Sequence, residues 1–351
     1  MTAAAGGVAV EAAPGGVDGA EPARTIFFGS GPFAVPILEA LVASPATDVV
    51  AVISAPDRPI GRGAVVTPVP VAARARELGL PLIQPDRIRD PAAVKAVAAL
   101  RPVLGVLADF GQIVPATILD LPPRGILNVH PSLLPRHRGA TPIPAAILAG
   151  DRETGVTVIR MDEGLDTGPI VAAKRWALDG TETAPELEAL AAEAGAELVT
   201  ATLGPWLRGE VAPNTQPTEG VTLTRPLRRE DGRLDPARSA TELERQVRAL
   251  QSWPGTFVET DTGRIKVFRA VVAPSAGGAS PEAGGTPGAL EPAVTPASSG
   301  SFGEGPGLRL HTADGDLVLV EVQPAGGRRM TGEELLLGRP SLPGSRVLGA
   351  S

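Results

Sequence analysis

The sequence predicts an α/β fold, in which a doubly wound, mostly parallel, Rossmann-like domain precedes a small β-rich, OB-like barrel domain. In the first half of the chain, short runs of β-branched and apolar residues alternate with helical stretches, which is typical of a parallel sheet. The second half carries one short helix and then four strand-like runs. A connector with several Pro and Thr residues, 213–224, separates the halves and marks the domain boundary.

The first domain opens with a strand, a tight turn and a helix. Its predicted elements are the strands 25–29, 49–54, 103–108 and 126–130 and the helices 33–42, 91–100 and 184–207. In doubly wound sheets, ligands bind beyond the carboxyl ends of the strands. The residues that follow Gly29, Ala108 and Val129 are therefore expected to carry the chemistry.

The second domain is predicted to contain the helix 241–250 and the strands 256–259, 265–272, 308–312 and 317–323. Between the middle strands, residues 274–306 consist mainly of Gly, Pro, Ser and Ala, so we predict a disordered insertion. The chain is thus divided into a disordered tail 1–23, a first domain 24–207, a linker 208–224 and a second domain 225–345.

Composition excludes several classes of protein. The chain has no cysteine, which excludes disulfides, thiolate metal sites and cysteine nucleophiles. No apolar run approaches the roughly 18 residues that span a bilayer, and no basic residue precedes Arg24 as in a signal peptide. We expect a cytoplasmic monomer without membrane association. No metal is expected, because His130, His137 and His311 form no cluster at ligand spacing.

The turn after the first strand, Gly29–Ala34, fits the G-x-G-x-x-A form of a dinucleotide-binding fingerprint. A nicotinamide site also needs an acidic side chain at the end of the second strand to hold the ribose. That strand ends in Ile53, Ser54 and Ala55, and the first acid after it is Asp57. Dinucleotide binding is therefore not favoured.

The most informative stretch is 125–168. Asn128 and His130 stand at the end of a predicted strand, and the two-residue period of a strand puts them on one face. An Asn amide can donate a hydrogen bond to an oxyanion, and a His side chain can carry a proton near neutral pH. Asp166, between two glycines, supplies a carboxylate that can orient the imidazole if the two meet in space.

These residues lie within segments that resemble the formyltransferase family that uses 10-formyltetrahydrofolate. The resemblance covers about residues 25–272 and resumes at 308–337, and its densest motifs are SLLPRHRGATPI at 132–143, AGDRETGVTVIRMD at 149–162 and LQSWPGTFV at 250–258. It implies that Asn128, His130 and Asp166 are the catalytic residues. Within the family, the chain is most similar to the members that formylate methionyl initiator tRNA.

The resemblance also implies a folate site. It is formed by the turn Ser132, Leu133, Leu134 and Pro135 and by the loop residues Phe110, Gly111, Gln112 and Val114. Phe110 stands where the family more often has Tyr. Because this loop follows the predicted strand 103–108, it lies at the carboxyl edge of the sheet, where a ligand is expected.

The expected partner is tRNA, although the chain has a net charge of -7. The segment 221–250 has seven arginines against five acidic residues, a net charge of +2, and phosphate neutralisation supplies most sequence-independent affinity for nucleic acids. The predicted tRNA-binding residues are Arg62, which matches a basic residue of the family's acceptor-stem loop, and Arg228, Arg229, Arg245 and Arg248. The alternative for the segment 221–250 is a charged, solvated face.

The predicted function is transfer of the formyl group of 10-formyltetrahydrofolate to the α-amino group of methionyl initiator tRNA. A sugar-nucleotide N-formyltransferase is the main alternative, because it shares the fold, the donor and the catalytic residues. Two further alternatives are a catalytically silent tRNA-binding module and a formyltetrahydrofolate hydrolase. The intact set of Asn128, His130 and Asp166 disfavours the silent module.

Overall fold

The computed structural model describes residues 21–60, 65–273, 286–293 and 307–348. Arg62, most of the predicted tail and most of the predicted insertion lie outside these residues. The chain divides into two compact units. The first unit contains the described residues up to Pro135 together with Gly155–Lys174 and Leu190–Val221, and the second contains Arg136–Thr154, Arg175–Ala189 and the described residues from Thr222 onwards.

The described residues contain strands and helices in the following order. The strands are β1 Ala23–Gly29, β2 Thr47–Ile53, β3 Arg58–Ile60, β4 Val65–Thr67, β5 Leu82–Ile83, β6 Leu104–Ala108, β7 Ile126–His130, β8 Arg138–Gly139, β9 Glu153–Arg160, β10 Ile170–Ala177, β11 Leu223–Thr224, β12 Thr256–Thr260, β13 Gly263–Val272, β14 Leu290–Ala293, β15 Gly307–His311, β16 Asp316–Pro324 and β17 Met330–Thr331. The α-helices are α1 Ala34–Ala43, α2 Pro70–Glu77, α3 Pro91–Ala99, α4 Ala116–Leu119, α5 Pro142–Ala149, α6 Ala184–Arg208, α7 Ala240–Ala249 and α8 Gly332–Gly338.

The predicted doubly wound, mostly parallel sheet is confirmed. Its seven strands have the order β10-β9-β7-β6-β1-β2-β5. The pairs β1–β2, β1–β6, β6–β7 and β2–β5 are parallel, whereas β9 runs antiparallel to β7. Since β1, β6 and β7 are neighbours and run in the same direction, their carboxyl ends meet at one edge of the sheet.

The central strands form because they can be buried on both faces, which requires a nearly continuous apolar sequence. All five residues of β6 and all five of β7 are buried. The core around them includes Ile26, Phe28, Ile53, Leu107 and Ile126. Asn128 and His130 are therefore polar exceptions inside a buried strand, and such exceptions need hydrogen-bonding partners.

The second unit contains an antiparallel sheet that is consistent with the predicted OB-like domain. Its strands have the order β12-β13-β16-β15-β14, and β17 pairs with β16. Helix α7 begins at a capping box, in which the Ser239 side chain accepts from Glu242 N and the Glu242 carboxylate accepts from Ser239 N at 3.0 Å. Leu243 and Val247 of this helix are buried in the same apolar core as the strands.

One part of the predicted disordered insertion is ordered. Leu290–Ala293 forms β14, which pairs antiparallel with β15, and Leu290 is fully buried. The prediction of disorder was wrong for these four residues. The short strand is held by one buried leucine and by hydrogen bonds to the backbone of β15. One apolar residue among many Gly, Pro and Ala residues does not form a pattern that predicts a strand.

The segment predicted as a linker, 208–224, is held by hydrogen bonds. Asn214 and Ile170 exchange two backbone hydrogen bonds of 2.7 Å, and the Gln216 side chain is buried. Beyond Val221, which ends the first unit, Leu223–Thr224 pairs in parallel with Arg138–Gly139. No helix among the described residues is long and apolar enough to cross a membrane.

Candidate active site

Asn128 and His130 lie at the carboxyl end of β7, on the same face of the strand. Their side chains are almost completely buried, with residue exposures of 6% and 4%. Strand β7 is fixed in register between β6 and β9, because Asn128 pairs with Leu107 on one side and with Ile159 on the other. The two side chains are thus positioned by an inner strand that is hydrogen-bonded on both sides.

The loop between β9 and β10 brings Asp166 to both of these residues. Asn128 Nδ2 donates a hydrogen bond of 3.0 Å to Asp166 Oδ1. The other carboxylate oxygen, Oδ2, lies 3.6 Å from His130 Nδ1, which is an ion-pair distance and longer than a hydrogen bond. The structure therefore brings together the three side chains that the sequence analysis selected.

The backbone of the Asp166 loop has little freedom. Asp166 has a φ of 53°, a left-handed conformation that few non-glycine residues adopt. A Cβ added at Gly168 would overlap the carbonyl oxygen of Arg160, so only glycine fits there. Thr167 Oγ1 donates to Asp162 Oδ1 at 2.7 Å and closes the loop on itself.

Gln216 holds this loop from the segment that follows α6. Its Nε2 donates to the carbonyl oxygens of Asp166 and Gly168, both at 2.7 Å. The sequence analysis missed this residue, because a glutamine in a Pro- and Thr-containing connector has no spacing or motif that indicates burial. It belongs to the same unit as the three candidate catalytic residues.

The predicted folate turn follows β7 directly and is fastened to β9. Ser132 N donates to the carbonyl oxygen of His130 at 2.9 Å. Thr157 Oγ1 donates to Ser132 O at 2.7 Å and accepts from Leu134 N at 3.2 Å. Leu134 is buried, Leu133 is half-buried, and the peptide bond between Leu134 and Pro135 is cis. The turn therefore presents backbone at the end of the catalytic strand.

In the loop 110–114, most of the predicted folate contacts point inward. Phe110 packs edge-on against Phe28, with ring centroids 5.4 Å apart, and Val114 is buried in the same core. Gln112 Oε1 accepts from the backbone N of Ile88 at 2.8 Å. Gly111 is exposed with a φ of 76°, and the neighbouring Ile113, which was not predicted, is 85% exposed. A ligand at this loop would meet backbone and Ile113 rather than the Phe110 ring.

Asp109, which begins this loop, was not predicted either. It has a φ of 45°, and its backbone oxygen accepts hydrogen bonds from Ser30 N at 2.9 Å and Gly31 N at 3.4 Å. Its side chain reaches solvent, yet enough protein surrounds the carboxylate that lost hydration raises the pKa of Asp109 above its ordinary value.

The predicted tRNA-binding arginines differ in their surroundings. Arg228 and Arg229 are exposed at the start of a short 3₁₀ helix, Arg229–Gly232. Arg245 lies against Gly150, where an added Cβ would overlap its guanidinium. Arg248 is bidentate to Glu244, at 2.6 and 3.0 Å, and also donates to a backbone oxygen at 2.8 Å, so it braces the second unit.

His137, whose role the sequence leaves open, is a buried residue of the second unit. Its Nε2 lies 2.7 Å from Asp151 Oδ2, and its backbone N donates to Thr222 Oγ1 at 2.7 Å. Arg136 pairs with the other oxygen of Asp151 at 2.5 Å. In the part of the chain that the structure describes, no group of three or more His, Cys, Asp and Glu side chains could hold a metal ion.

Known protein families match both halves of the chain. The formyl transferase family model matches residues 23–203, and the model for the C-terminal domain of formyl transferases matches 226–340. The methionyl-tRNA formyltransferase of Myxococcus xanthus is 40% identical over 324 residues, which is 92% of this chain and 97% of the relative. The enzyme of the same name from Halorhodospira halophila is 42% identical over 93% of this chain and 99% of the relative.

Solved structures share the fold at low identity. An N-formyltransferase from Helicobacter canadensis, in complex with folinic acid and dTDP-3-aminofucose, has a TM-score of 0.61 and 17% identity over 85% of this chain and 98% of its own. HypX from Aquifex aeolicus, in complex with tetrahydrofolic acid, has a TM-score of 0.54 and 16% identity over 90% of this chain and 47% of its own. The relatives from Myxococcus xanthus and Halorhodospira halophila are 40% and 42% identical to this chain, whereas these two structures are 17% and 16% identical. The chain therefore belongs to the methionyl-tRNA formyltransferase family.

Proposed function

We propose that this chain transfers the formyl group of 10-formyltetrahydrofolate to the α-amino group of methionyl initiator tRNA, for translation initiation, and that it acts as a monomer. The observation that carries the proposal is the buried cluster of Asn128, His130 and Asp166 at the carboxyl end of β7. Relatives about 40% identical over nine-tenths of the chain support the choice of acceptor, and the formyltransferase domain supports a folate-derived donor.

Asn128 stabilises the oxyanion that forms when the neutral amine attacks the formyl carbon. One hydrogen of its Nδ2 is used by Asp166 at 3.0 Å, which fixes the amide plane and leaves the second hydrogen for the reacting oxygen. A donor that is already oriented in a buried site needs no reorganisation during the reaction. Such a donor typically contributes about 3 kcal/mol in the transition state.

His130 acts as the second donor to the oxyanion. The Asp166 carboxylate, 3.6 Å from Nδ1, stabilises the imidazolium form, so that the opposite ring nitrogen presents a charge-assisted N–H. Asp166 also accepts the proton that the attacking nitrogen loses and passes it through water toward N10, which leaves as an amine. The carboxylate therefore serves both donors and the leaving group.

Binding of the two substrates is divided between separate groups of residues. We propose that the donor lies against the backbone of Ser132–Pro135 and of the loop 110–114, and that Phe110 and Val114 support that loop from the core. Of the four described arginines that were predicted to bind tRNA, Arg228 and Arg229 are the best candidates for phosphate contacts, because both are exposed whereas Arg245 and Arg248 are partly buried. Arg248 contributes indirectly, since its guanidinium is engaged with Glu244.

No observation favours the alternative acceptor, an amino-sugar nucleotide. The sugar N-formyltransferase structures that match are 16–17% identical, which shows a common fold alone. The relatives from Myxococcus xanthus, Halorhodospira halophila and Thermus thermophilus, which are 40–42% identical, are each named methionyl-tRNA formyltransferase.

The test is transfer of labelled formyl from 10-formyltetrahydrofolate to methionyl initiator tRNA, with His130→Ala run in parallel. Transfer by the wild-type chain that disappears in the variant, with folate binding retained, is the expected result. Absence of transfer by a wild-type chain that still binds folate would contradict the proposal. Amino-sugar nucleotides would then be the next acceptors to assay.

A further inference from the structure

Asp109 carries a carboxylate that the mechanism above does not use. Within the residues that the structure describes, its two side-chain oxygens make no hydrogen bond and no ion pair. The only cause that raises the pKa of Asp109 is the loss of hydration, without any compensating cation or donor. A partly dehydrated carboxylate without a partner in the protein is a suitable site for a ligand that brings a positive charge.

The strand registers place Asp109 at the active-site edge of the sheet. Leu107 of β6 pairs with Asn128 of β7, so Asp109, two residues further, is level with His130. On the other side Ala108 pairs with Gly29 of β1, so Asp109 is level with Ser30. The carboxylate thus stands at the same edge as the candidate catalytic residues, one strand away from His130.

The backbone conformation of Asp109 sets the direction of its side chain. The φ of 45° is a conformation in which Asp and Asn are among the few residues tolerated besides glycine. The carboxylate lies over Gly31, where an added Cβ would overlap Asp109 Oδ2, so this approach requires glycine at position 31. Strained backbone of this kind occurs often at ligand-binding sites.

The carboxylate therefore leans toward the β1–α1 turn and away from β7. That turn is joined to the end of β2, because Ser30 Oγ accepts from the backbone N of Ala55 at 3.0 Å. Of the two substrates in the proposed function, the acceptor is the one whose amino group can carry a positive charge near neutral pH. The Asp109 carboxylate is therefore matched by its charge to the acceptor rather than to the donor.

We propose that the Asp109 carboxylate binds the protonated α-amino group of the aminoacyl end of the acceptor tRNA and positions it for attack. This inference rests on the proposed function. The α-amino group of an aminoacyl ester is partly protonated near neutral pH, since a free α-amino group titrates at about 7.7–8.0. The ammonium gives one proton to the carboxylate, an N–H bond breaking as an O–H bond forms, and the neutral amine then leaves Asp109 and attacks the formyl carbon beside Asn128 and His130.

The test compares methionyl-tRNA with the same tRNA carrying the α-hydroxy acid in place of methionine, each as a ligand of the wild-type chain and of Asp109→Asn. Asparagine keeps the shape of the side chain and tolerates the left-handed backbone, but it lacks the charge. The wild-type chain should bind the amino form about tenfold more tightly than the hydroxy form, as expected for one charge-assisted hydrogen bond. In the variant this preference should disappear, and KM for methionyl-tRNA should rise by about the same factor while the Kd for folate stays unchanged.

A second variant separates binding from backbone conformation. Asp109→Gly relieves the positive φ, so a purely structural role predicts normal activity and the normal preference for the amino form. Our inference predicts that Asp109→Gly loses the preference as Asp109→Asn does. Retention of the preference in either folded variant would overturn it, whereas a wild-type chain that formylates no methionyl-tRNA would overturn the proposed function as well.

Discussion

Replacing Asn128 by alanine should lower kcat with little effect on folate binding. The substitution removes the Nδ2 group, whose second hydrogen is assigned to the oxyanion and whose first holds Asp166 Oδ1 at 3.0 Å. Loss of one oriented donor costs about 3 to 4 kcal/mol in the transition state, so kcat should fall by about 100- to 1000-fold. Loss of the hydrogen bond to Asp166 should cost a further ~1 kcal/mol, this time of folding stability.

The assay is single-turnover transfer of labelled formyl at saturating concentrations of both substrates, with the Kd for folate and the thermal unfolding midpoint measured on the same preparation. Asn214→Ala is the matched control. It is also an asparagine of the first unit, but it is exposed, and its recorded contacts with Ile170 are made by the backbone. This control should keep the wild-type rate.

A folded Asn128→Ala variant whose rate stays within about threefold of the wild type would contradict the role of Asn128 as an oxyanion donor, since a lost donor should lower the rate far more. A variant that loses folate affinity and keeps its rate at saturation would assign Asn128 to donor binding instead. Either result would leave His130 as the only candidate donor of the pair on β7.

Three further predictions concern residues outside the catalytic set. Gln216→Leu should lower kcat by at least about tenfold in steady-state assays, because two hydrogen bonds that fix the Asp166 loop are lost, each worth ~1 kcal/mol; an unchanged kcat would mean that the loop holds its shape unaided. Leu290→Ala should lower the free energy of unfolding of the second unit by about 2 to 5 kcal/mol in urea titrations, because a fully buried leucine is truncated; a change below ~0.5 kcal/mol would contradict the burial of β14. Glu242→Gln should lower the free energy of unfolding by under ~1 kcal/mol at pH 7, since the carboxylate is half exposed, and the difference from wild type should become smaller below pH 4.5.

The sign of the last effect follows from the direction of the pKa shift. Hydrogen bonds from Ser239 N, Arg238 and Ser239 Oγ lower the pKa of Glu242 from 4.5 to about 2. A carboxyl group whose pKa is lower in the folded state stabilises the fold above its unfolded pKa, and this contribution is lost as the pH falls from 4.5 towards 2. Urea titrations of both chains at pH 7 and pH 3 measure it, and a difference that grows in acid would contradict the assignment.

Elements with a strong periodic or apolar signal could be predicted from the sequence. Strands β6 and β7 are buried on both faces and therefore appear as uninterrupted apolar runs, so the position of Asn128 and His130 at a strand end was predictable. The contact of these two residues with Asp166 was not predictable in the same way. Spacing along the chain alone does not bring residue 166 to β7, and it was the resemblance to a family that supplied this contact.

Features decided by tertiary contacts escaped the sequence analysis. Phe110 follows a strand end, and this position predicts contact with a ligand, but its ring packs against Phe28. Leu290 is a single apolar residue in a Pro- and Gly-containing segment, and only the open edge of β15 makes it part of a strand. Asp109 belongs to no sequence motif. The features that single it out are its positive φ and the approach of its carboxylate to Gly31, and both are visible only in the folded chain.

The position of Gln216 affects how this protein can be divided or recombined. The formyl transferase match ends at residue 203 and α6 ends at Arg208, and a truncation designed from either boundary would end the chain there. A chain that stopped there would keep every candidate catalytic side chain and lose the anchor of the Asp166 loop. Chimaeras that exchange C-terminal domains between relatives should therefore keep residues 209–221 with the first unit, and they must also match Leu223–Thr224 to its partner strand Arg138–Gly139 within the second unit.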